Sequence, residues 1–154
     1  MRITTNPDYL HKICDPISYK ESHKVANKMH LWLLSNKNIM KRTLGIASNQ
    51  LKLQGRIIVI RSDMYGSYRW LNYIDPMITE YSKDTIISQE TCLSVPKGKY
   101  GIKRSTEITL SYQVDSKGER WTQDFNGMKS FVIQHEIEHL NGVLISDERD
   151  DELL

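Results

Sequence analysis

The strongest constraint in this chain is a helix whose apolar residues are not confined to one side. Residues 127–141 or 128–141 follow helical spacing. Met128, Phe131, Val132, His135 and His139 share one side, while Ile133, Ile137 and Leu140 lie elsewhere on the surface. A helix that is apolar on more than one side is expected to be largely buried, so the rest of the chain must be built to cover it. Asn126 is placed to cap its start and Gly142 to stop it. Just upstream, residues 105–115 alternate through Ile108, Leu110, Tyr112 and Val114. Asp115-Ser116-Lys117-Gly118 is a turn signal, and residues 120–125 return with Trp121, Gln123 and Phe125 in phase. This is the clearest hairpin in the chain.

Earlier segments give a second helix and more strand. Residues 18–37 place Val25, Met29, Trp32 and Leu33 at helical intervals between polar residues, which predicts an amphipathic helix ending near 36–38. His23 and His30 on it read as surface or boundary residues. Asn6-Pro7-Asp8 and Asp15-Pro16 read as turns or helix starts. Residues 44–50 are a mixed segment of glycine and small residues, and Gly55 precedes a buried strand at 56–60. Residues 62–67 form a turn-rich link, and 70–78 read as a strand interrupted at Pro76. The expected fold class is α+β, with antiparallel strands packed around a central buried helix. With 154 residues, one domain covering residues 1–154 is expected.

Charge and cysteine usage narrow the partners. A net charge of +2, with scattered basic residues, gives no case for nucleic acid or an acidic membrane. The densest basic set, Lys97, Lys99, Lys103 and Arg104, reads as a solvated loop, and residues 147–152 form an acidic segment. No apolar run approaches the roughly 20 residues that span a bilayer, and the first ten residues lack the apolar core of a signal peptide. The two cysteines, Cys14 and Cys92, are far apart in sequence and read as reduced thiols. A reducing compartment, the cytoplasm, would leave Cys92 free to bind metal.

The chemistry lies in His135-Glu136-Ile137-Glu138-His139. Helical residues four apart sit one turn above each other, so two imidazoles can grip one ion. Glu136 is within reach of a water that such an ion would acidify, and can carry a proton to a leaving nitrogen. Glu138 reads as a solvated or structural carboxylate. Two histidines need a third protein ligand. Cys92 offers a thiolate and Glu90 a carboxylate, and residue type alone does not choose between them. Gln50 could donate to a developing oxyanion.

Three separated blocks resemble the peptide deformylase family. Gly45-Ile46-Ala47-Ser48-Asn49-Gln50 is similar to the family's GxGxAAxQ, Glu90-Thr91-Cys92-Leu93-Ser94 to EGCLS, and His135–His139 to HExxH. Pro7-Asp8 with Leu10, Val95-Pro96, Arg104 and Asn141-Gly142-Val143-Leu144 match family features too, so the resemblance spans nearly the whole chain. It implies Cys92, His135 and His139 as ligands of one divalent metal ion. Fe(II) would be bound in the cell, with Zn, Ni or Co able to occupy the same site. It implies Glu136 as general acid and base, and Gln50 with the Leu93 backbone N–H as the oxyanion donors. Gly45 would lie beside the bound peptide. Leu44, Phe131 and Val132 would line the methionine pocket, with Glu90 and Thr91 on the substrate side.

The implied reaction is hydrolytic removal of the N-terminal formyl group from formyl-methionyl peptides and nascent chains, releasing formate. The expected protein is a monomer. Thr43, Ser48 and Thr91 depart from the family's glycine, alanine and glycine. Thr91 is expected to matter most, because its branched side chain adds bulk near the cleft. The extended C-terminal helix that many bacterial members use for ribosome docking is expected to be absent or a stub, as in some compact phage-encoded members. Two rivals stand beside this reading. One is an HExxH metallopeptidase with another third ligand. The other is a metal-stabilised peptide-binding protein without turnover.

Overall fold

The computed structural model describes residues 1–63 and 69–147. The link at 62–67 therefore lies outside the described residues from 64 onward, and the acidic segment does so after Asp147. Helices α1 (Pro7–Leu10), α2 (Tyr19–Ser35) and α3 (Lys37–Met40) come first. Strand β1 (Gly45–Ala47), a 3-10 turn at Ser48–Leu51 and strands β2 (Ile57–Arg61) and β3 (Trp70–Tyr81) follow. Then come the hairpin β4 (Thr85–Cys92) and β5 (Val95–Ser105), the hairpin β6 (Glu107–Gln113) and β7 (Arg120–Asn126), and α4 (Gly127–Leu140). One antiparallel sheet has the order β1-β2-β3-β6-β7, and β4-β5 form a separate two-stranded sheet.

Strand β2 explains how the layers meet. All of its residues are buried. Ile57 and Val59 pack with Ala26, Met29, Trp32 and Leu33 of α2. Ile58 and Ile60 pack with Val132, Ile133, Ile137 and Leu140 of α4. Side chains alternate across a strand, so α2 and α4 cover opposite faces of the sheet. A continuous β-branched run suits a strand covered on both sides. Burying a side chain of this size contributes about 2 kcal/mol relative to exposure.

Helix α4 ends as its sequence requires. Gly142 takes a left-handed φ of 76°. Its N–H donates to the His139 carbonyl at 3.2 Å, and Val143 N–H reaches the Glu138 carbonyl at 2.9 Å. This is a Schellman stop. Arg56 Nη1 donates to the carbonyls of Leu140, at 3.0 Å, and Cys14, at 3.1 Å, placing a cation where the helix dipole favours one. The start differs from expectation: Asn126 occupies the cap position, but its side chain makes no capping hydrogen bond. Instead Gly127 N–H donates to the Thr106 carbonyl at 2.9 Å, and Ser130 Oγ donates to the Ser105 carbonyl at 3.0 Å.

The strand expected at 70–78 with an interruption at Pro76 is β3, which runs on to Tyr81. The proline is absorbed where the β3–β6 register shifts between Ile74 and Met77, beside Asp75 at φ 46°. Arg120 holds that bulge by donating to Asp75 Oδ2 at 3.0 Å and to the Asp75 carbonyl at 2.6 Å. The basic set at 97–104 is not a solvated loop. It lies on β5, and Arg104 is only 1% exposed.

Candidate metal centre and active-site cleft

The separate hairpin and α4 converge at one point. Strand β4 ends at Cys92, and α4 presents His135 and His139 with ring centroids 5.0 Å apart. Cys92 Sγ lies 3.2 Å from His139 Nε2. One ligand atom from each of Cys92, His135 and His139 falls within 4.8 Å of the others. A thiolate and two imidazoles at this spacing suit a borderline divalent ion with a fourth position open. Cys92 is held for this by Ser94 N–H at 3.4 Å and Gln50 Nε2 at 3.8 Å, both donating to Sγ. Both cysteines are free thiols.

Glu90, the rival third ligand, is used elsewhere. Its two oxygens accept from Arg104 Nε and Nη2, each at 2.8 Å, and Glu90 Oε2 lies 2.9 Å from His135 Nδ1. That contact orients the imidazole and leaves Nε2 for an ion, the usual supporting role of a carboxylate behind a metal-binding histidine. Arg104 also pairs with Glu138. Glu138 is therefore a structural carboxylate rather than a solvated one. The buried guanidinium is balanced by carboxylates on both sides, which such a charge requires to avoid a large desolvation penalty.

Glu136 is 4% exposed, and among the described residues its Oε2 has no hydrogen-bond partner. A buried orphan oxygen beside three metal-type donors fits a site that takes a water or ligand atom. Gly45 makes room for it. A Cβ at Gly45 would lie 3.0 Å from Glu136 Cγ and Oε1 and 2.9 Å from Ile60 Cδ1. Gln50 has a set orientation, because its Oε1 accepts from Ala47 N–H at 2.9 Å and its Nε2 points to Ser94 Oγ at 3.1 Å and towards Cys92.

Burial and charge tune these groups in opposite senses. Burial pushes the Glu136 carboxyl up to about 7, against the opposing His135 charge. Burial would also raise Glu90, but hydrogen bonds from Arg104 and His135 hold it down at about 2. Burial works to lower His135, yet contacts to Cys92, Glu90 and Glu136 keep it well above the usual histidine value. Burial and the nearby His135 and Arg104 charges push His139 well below that value. A neutral His139 keeps the lone pair that a ligand needs.

A cleft of about 580 Å³ opens onto this centre. Leu44, Gly45, Gln50, Glu90, Thr91, Cys92, Leu93, Phe131, Val132, His135 and Glu136 all line it, so the structure gathers the expected residues around one space. Only His139 stands behind the wall, 1% exposed. Arg42, Gln89 and Met128 also line the cleft and were missed by sequence reasoning. Met128 lies on the helix side that the spacing predicts, but nothing in the spacing of Arg42 or Gln89 marks a cleft.

A family model described as polypeptide deformylase matches residues 1–153. The chain belongs to that family. It is 32% identical over 142 residues to a peptide deformylase of Karelsulcia muelleri, covering 90% of this chain and 72% of the relative. Four further bacterial relatives are matched over 60–65% of their own length. Among solved structures, a class I type b peptide deformylase from Acinetobacter baumannii superposes with a TM-score of 0.81 at 27% identity, covering 96% of this chain and 97% of that one. A probable peptide deformylase from synechococcus phage S-SSM7 gives 0.79 at 25% identity, covering 96% and 99%. The deformylase fold, α+β with antiparallel sheets and a C-terminal helix, is therefore that of this chain.

Proposed function

We propose that the chain is a peptide deformylase that hydrolyses the N-formyl group of formyl-methionyl peptides and nascent chains, releasing formate. The observation that carries this reading is the gathering of Cys92, His135 and His139 within 4.8 Å, beside the buried, unpartnered Glu136 oxygen, at the floor of a peptide-sized cleft. All of residues 1–154 act as one catalytic domain, with α4 as the central helix carrying the HExxH motif. Cys92, His135 and His139 hold one divalent ion, Fe(II) in the cell, with Zn, Ni or Co as substitutes. Such an ion supplies Lewis-acid activation of water and of the carbonyl under attack.

The remaining chemistry belongs to side chains. The peptide lies extended in the cleft beside Gly45 and Thr91, where backbone groups can bond it whatever its side chains. Leu44, Phe131 and Val132 receive the methionine side chain. Glu136 takes a proton from the attacking water and delivers it to the leaving amine nitrogen. A carboxyl raised to about 7 by burial is suited to both directions of transfer. Gln50 Nε2 and Leu93 N–H donate to the oxygen that gains charge. Glu90 lines the cleft, but its carboxylate is committed to Arg104 and His135, so it positions His135 rather than contacting substrate. A deformylase of A. baumannii has been solved with Met-Ala-Ser bound, a ligand of the class assigned here. Among the described residues no helix is long and apolar enough to cross a membrane. We assign a monomer acting in the cytoplasm.

The test is formate release from a formyl-Met tripeptide, using protein prepared without oxygen and loaded with iron or nickel. Turnover is expected in the parent. Glu136→Ala should lose roughly 10²-fold or more in kcat, and Cys92→Ala should retain metal poorly. A folded, metal-loaded parent that releases no formate would sink the reading.

A further inference from the structure

The cleft carries one charged side chain that neither metal binding nor hydrolysis uses. Arg42 lines the same space as Gly45, Gln50, Cys92 and Glu136, is exposed, and stands in the turn between α3 and β1. Among the described residues its one side-chain hydrogen bond runs from Nε to the Asn38 carbonyl at 3.1 Å. That bond steadies the side chain and leaves both Nη groups open to a ligand. The two carboxylates lining the cleft cannot neutralise it. Glu90 is taken by Arg104 and His135, and Glu136 is buried against Gly45. Arg42 therefore brings to the cleft a positive charge that the carboxylates lining it do not neutralise.

Its position can be placed along a bound peptide. Gly45 abuts Glu136, where a formyl group would react. Arg42 lies three residues earlier, so its backbone is at most about 10 Å away. An extended peptide covers that distance in two to three residues. We propose that Arg42 selects formyl-methionyl peptides whose third residue is acidic. The inference rests on the deformylase reading of the same cleft. A guanidinium meets a carboxylate in a bidentate fork, whereas a lysine at that position would face a like charge. Because the contact lies away from the reacting carbonyl, it should act on binding, changing KM and leaving kcat unaltered.

The experiment compares formyl-Met-Ala-Glu, formyl-Met-Ala-Gln and formyl-Met-Ala-Lys, each as the C-terminal amide so that no terminal carboxylate competes. The parent, Arg42→Ala and Arg42→Glu are assayed at low and high salt. The parent should favour the Glu peptide over the Lys peptide by roughly three- to tenfold in kcat/KM at low salt, as expected for a partly exposed ion pair, and less as salt rises. Arg42→Ala should abolish the preference and Arg42→Glu reverse it, with the Gln peptide turned over at an unchanged kcat. Calorimetric affinities of Met-Ala-Glu amide and Met-Ala-Lys amide should rank the same way. Equal kcat/KM for the two charged peptides, or a preference that survives Arg42→Glu, would overturn the proposal while the Gln peptide still yields formate. Absence of formate from every peptide would strike the hydrolase reading instead. The calorimetric ranking would then decide the inference: a Glu preference lost in Arg42→Ala upholds it, and equal affinities overturn it.

Discussion

At the scale of single residues, the site depends on how close one backbone atom comes to one carboxylate. Gly45 leaves no room for a methyl group beside Glu136 and Ile60. In Gly45→Ala the Ile60 methyl can rotate, but Ile60 is fully buried, so part of the displacement falls on Glu136. An angstrom of misplacement at a reacting group can cost up to 10²-fold. Gly45→Ala should therefore lower kcat for formyl-Met peptides about 10- to 100-fold, with the melting temperature within a few degrees of the parent. Steady-state kinetics beside a thermal melt checks this, and an unaltered kcat would show that Glu136 is not held by this contact. The sequence motif marks Glu136 and both histidines, because helical spacing alone puts them on one helix. It could not choose between Cys92 and Glu90 as the candidate third ligand. That choice depends on Arg104, which sits 14 residues along the chain on the paired strand and engages the Glu90 carboxylate.

At the scale of elements, the stop of α4 is a test of backbone geometry against packing. Gly142 and Gly118 both have positive φ, 76° and 90°. A Cβ on Gly118 would meet nothing within 4 Å, whereas one on Gly142 would sit 2.4 Å from the His11 carbonyl oxygen. Gly118→Ala should cost only the left-handed strain of about 1–2 kcal/mol. Gly142→Ala must also move main chain at His11 and Lys12, and should cost roughly 3 kcal/mol or more, near 6–12 °C in melting temperature. Equal melting losses for the two variants would mean that the α1–α4 contact yields freely. The core strand β3 offers a pH test. Tyr73 is buried, and burial together with Tyr112 pushes its phenol up to about 12. The unfolded phenol ionises near pH 10. The stabilisation is thus complete below about pH 10 and is lost as pH rises through about 12, amounting to about 3 kcal/mol. Tyr73→Phe should flatten the fall in melting temperature across that window and remove one late-ionising tyrosine from the absorbance titration. An identical alkaline profile in parent and variant would refute it.

Elements differ in how plainly the sequence declares them. Helix α2 is legible because it buries one phase of a regular apolar pattern, α4 because its apolar residues recur on more than one side, and the β6–β7 hairpin because β6 alternates and residues 115–118 signal a turn, although β7 itself buries only Phe125. The β4–β5 hairpin is not. Along Thr85–Cys92 and Val95–Ser105 most side chains are exposed or half-buried, so no alternation marks the strands, and Lys97, Gly98 and Lys99 resemble a loop. Its anchor is mostly polar. Arg104 reaches back to Glu90 and Glu138, and Gln134 bonds both the N–H and the carbonyl of Ser105. Partnerships of that kind are tertiary and leave no periodic trace.

At the scale of the whole molecule, that hairpin makes the metal site a structural link as well as a chemical one. The hairpin pairs with no strand of the main sheet, and an isolated two-stranded ribbon is marginal in water. Its apolar attachment is small, with Cys92, Ile102 and Ile145 as buried members. The candidate ligands divide between the two bodies, Cys92 at the end of β4 and His135 with His139 on α4. An ion bound there would join the hairpin to the helix, so binding free energy would appear as stability of that junction. Chelation should therefore lower the melting temperature. In hydrogen exchange it should also deprotect residues 85–105 more than residues 107–126, whose strands are paired within the larger sheet. His139→Ala should remove the response to chelator. Cys92→Ser, a near-isosteric change, should do so without opening a cavity. Uniform deprotection across both hairpins would assign the metal to global stability alone. An unchanged exchange pattern in a protein shown to have lost its ion would mean that Arg104 and Gln134 already hold the hairpin in place.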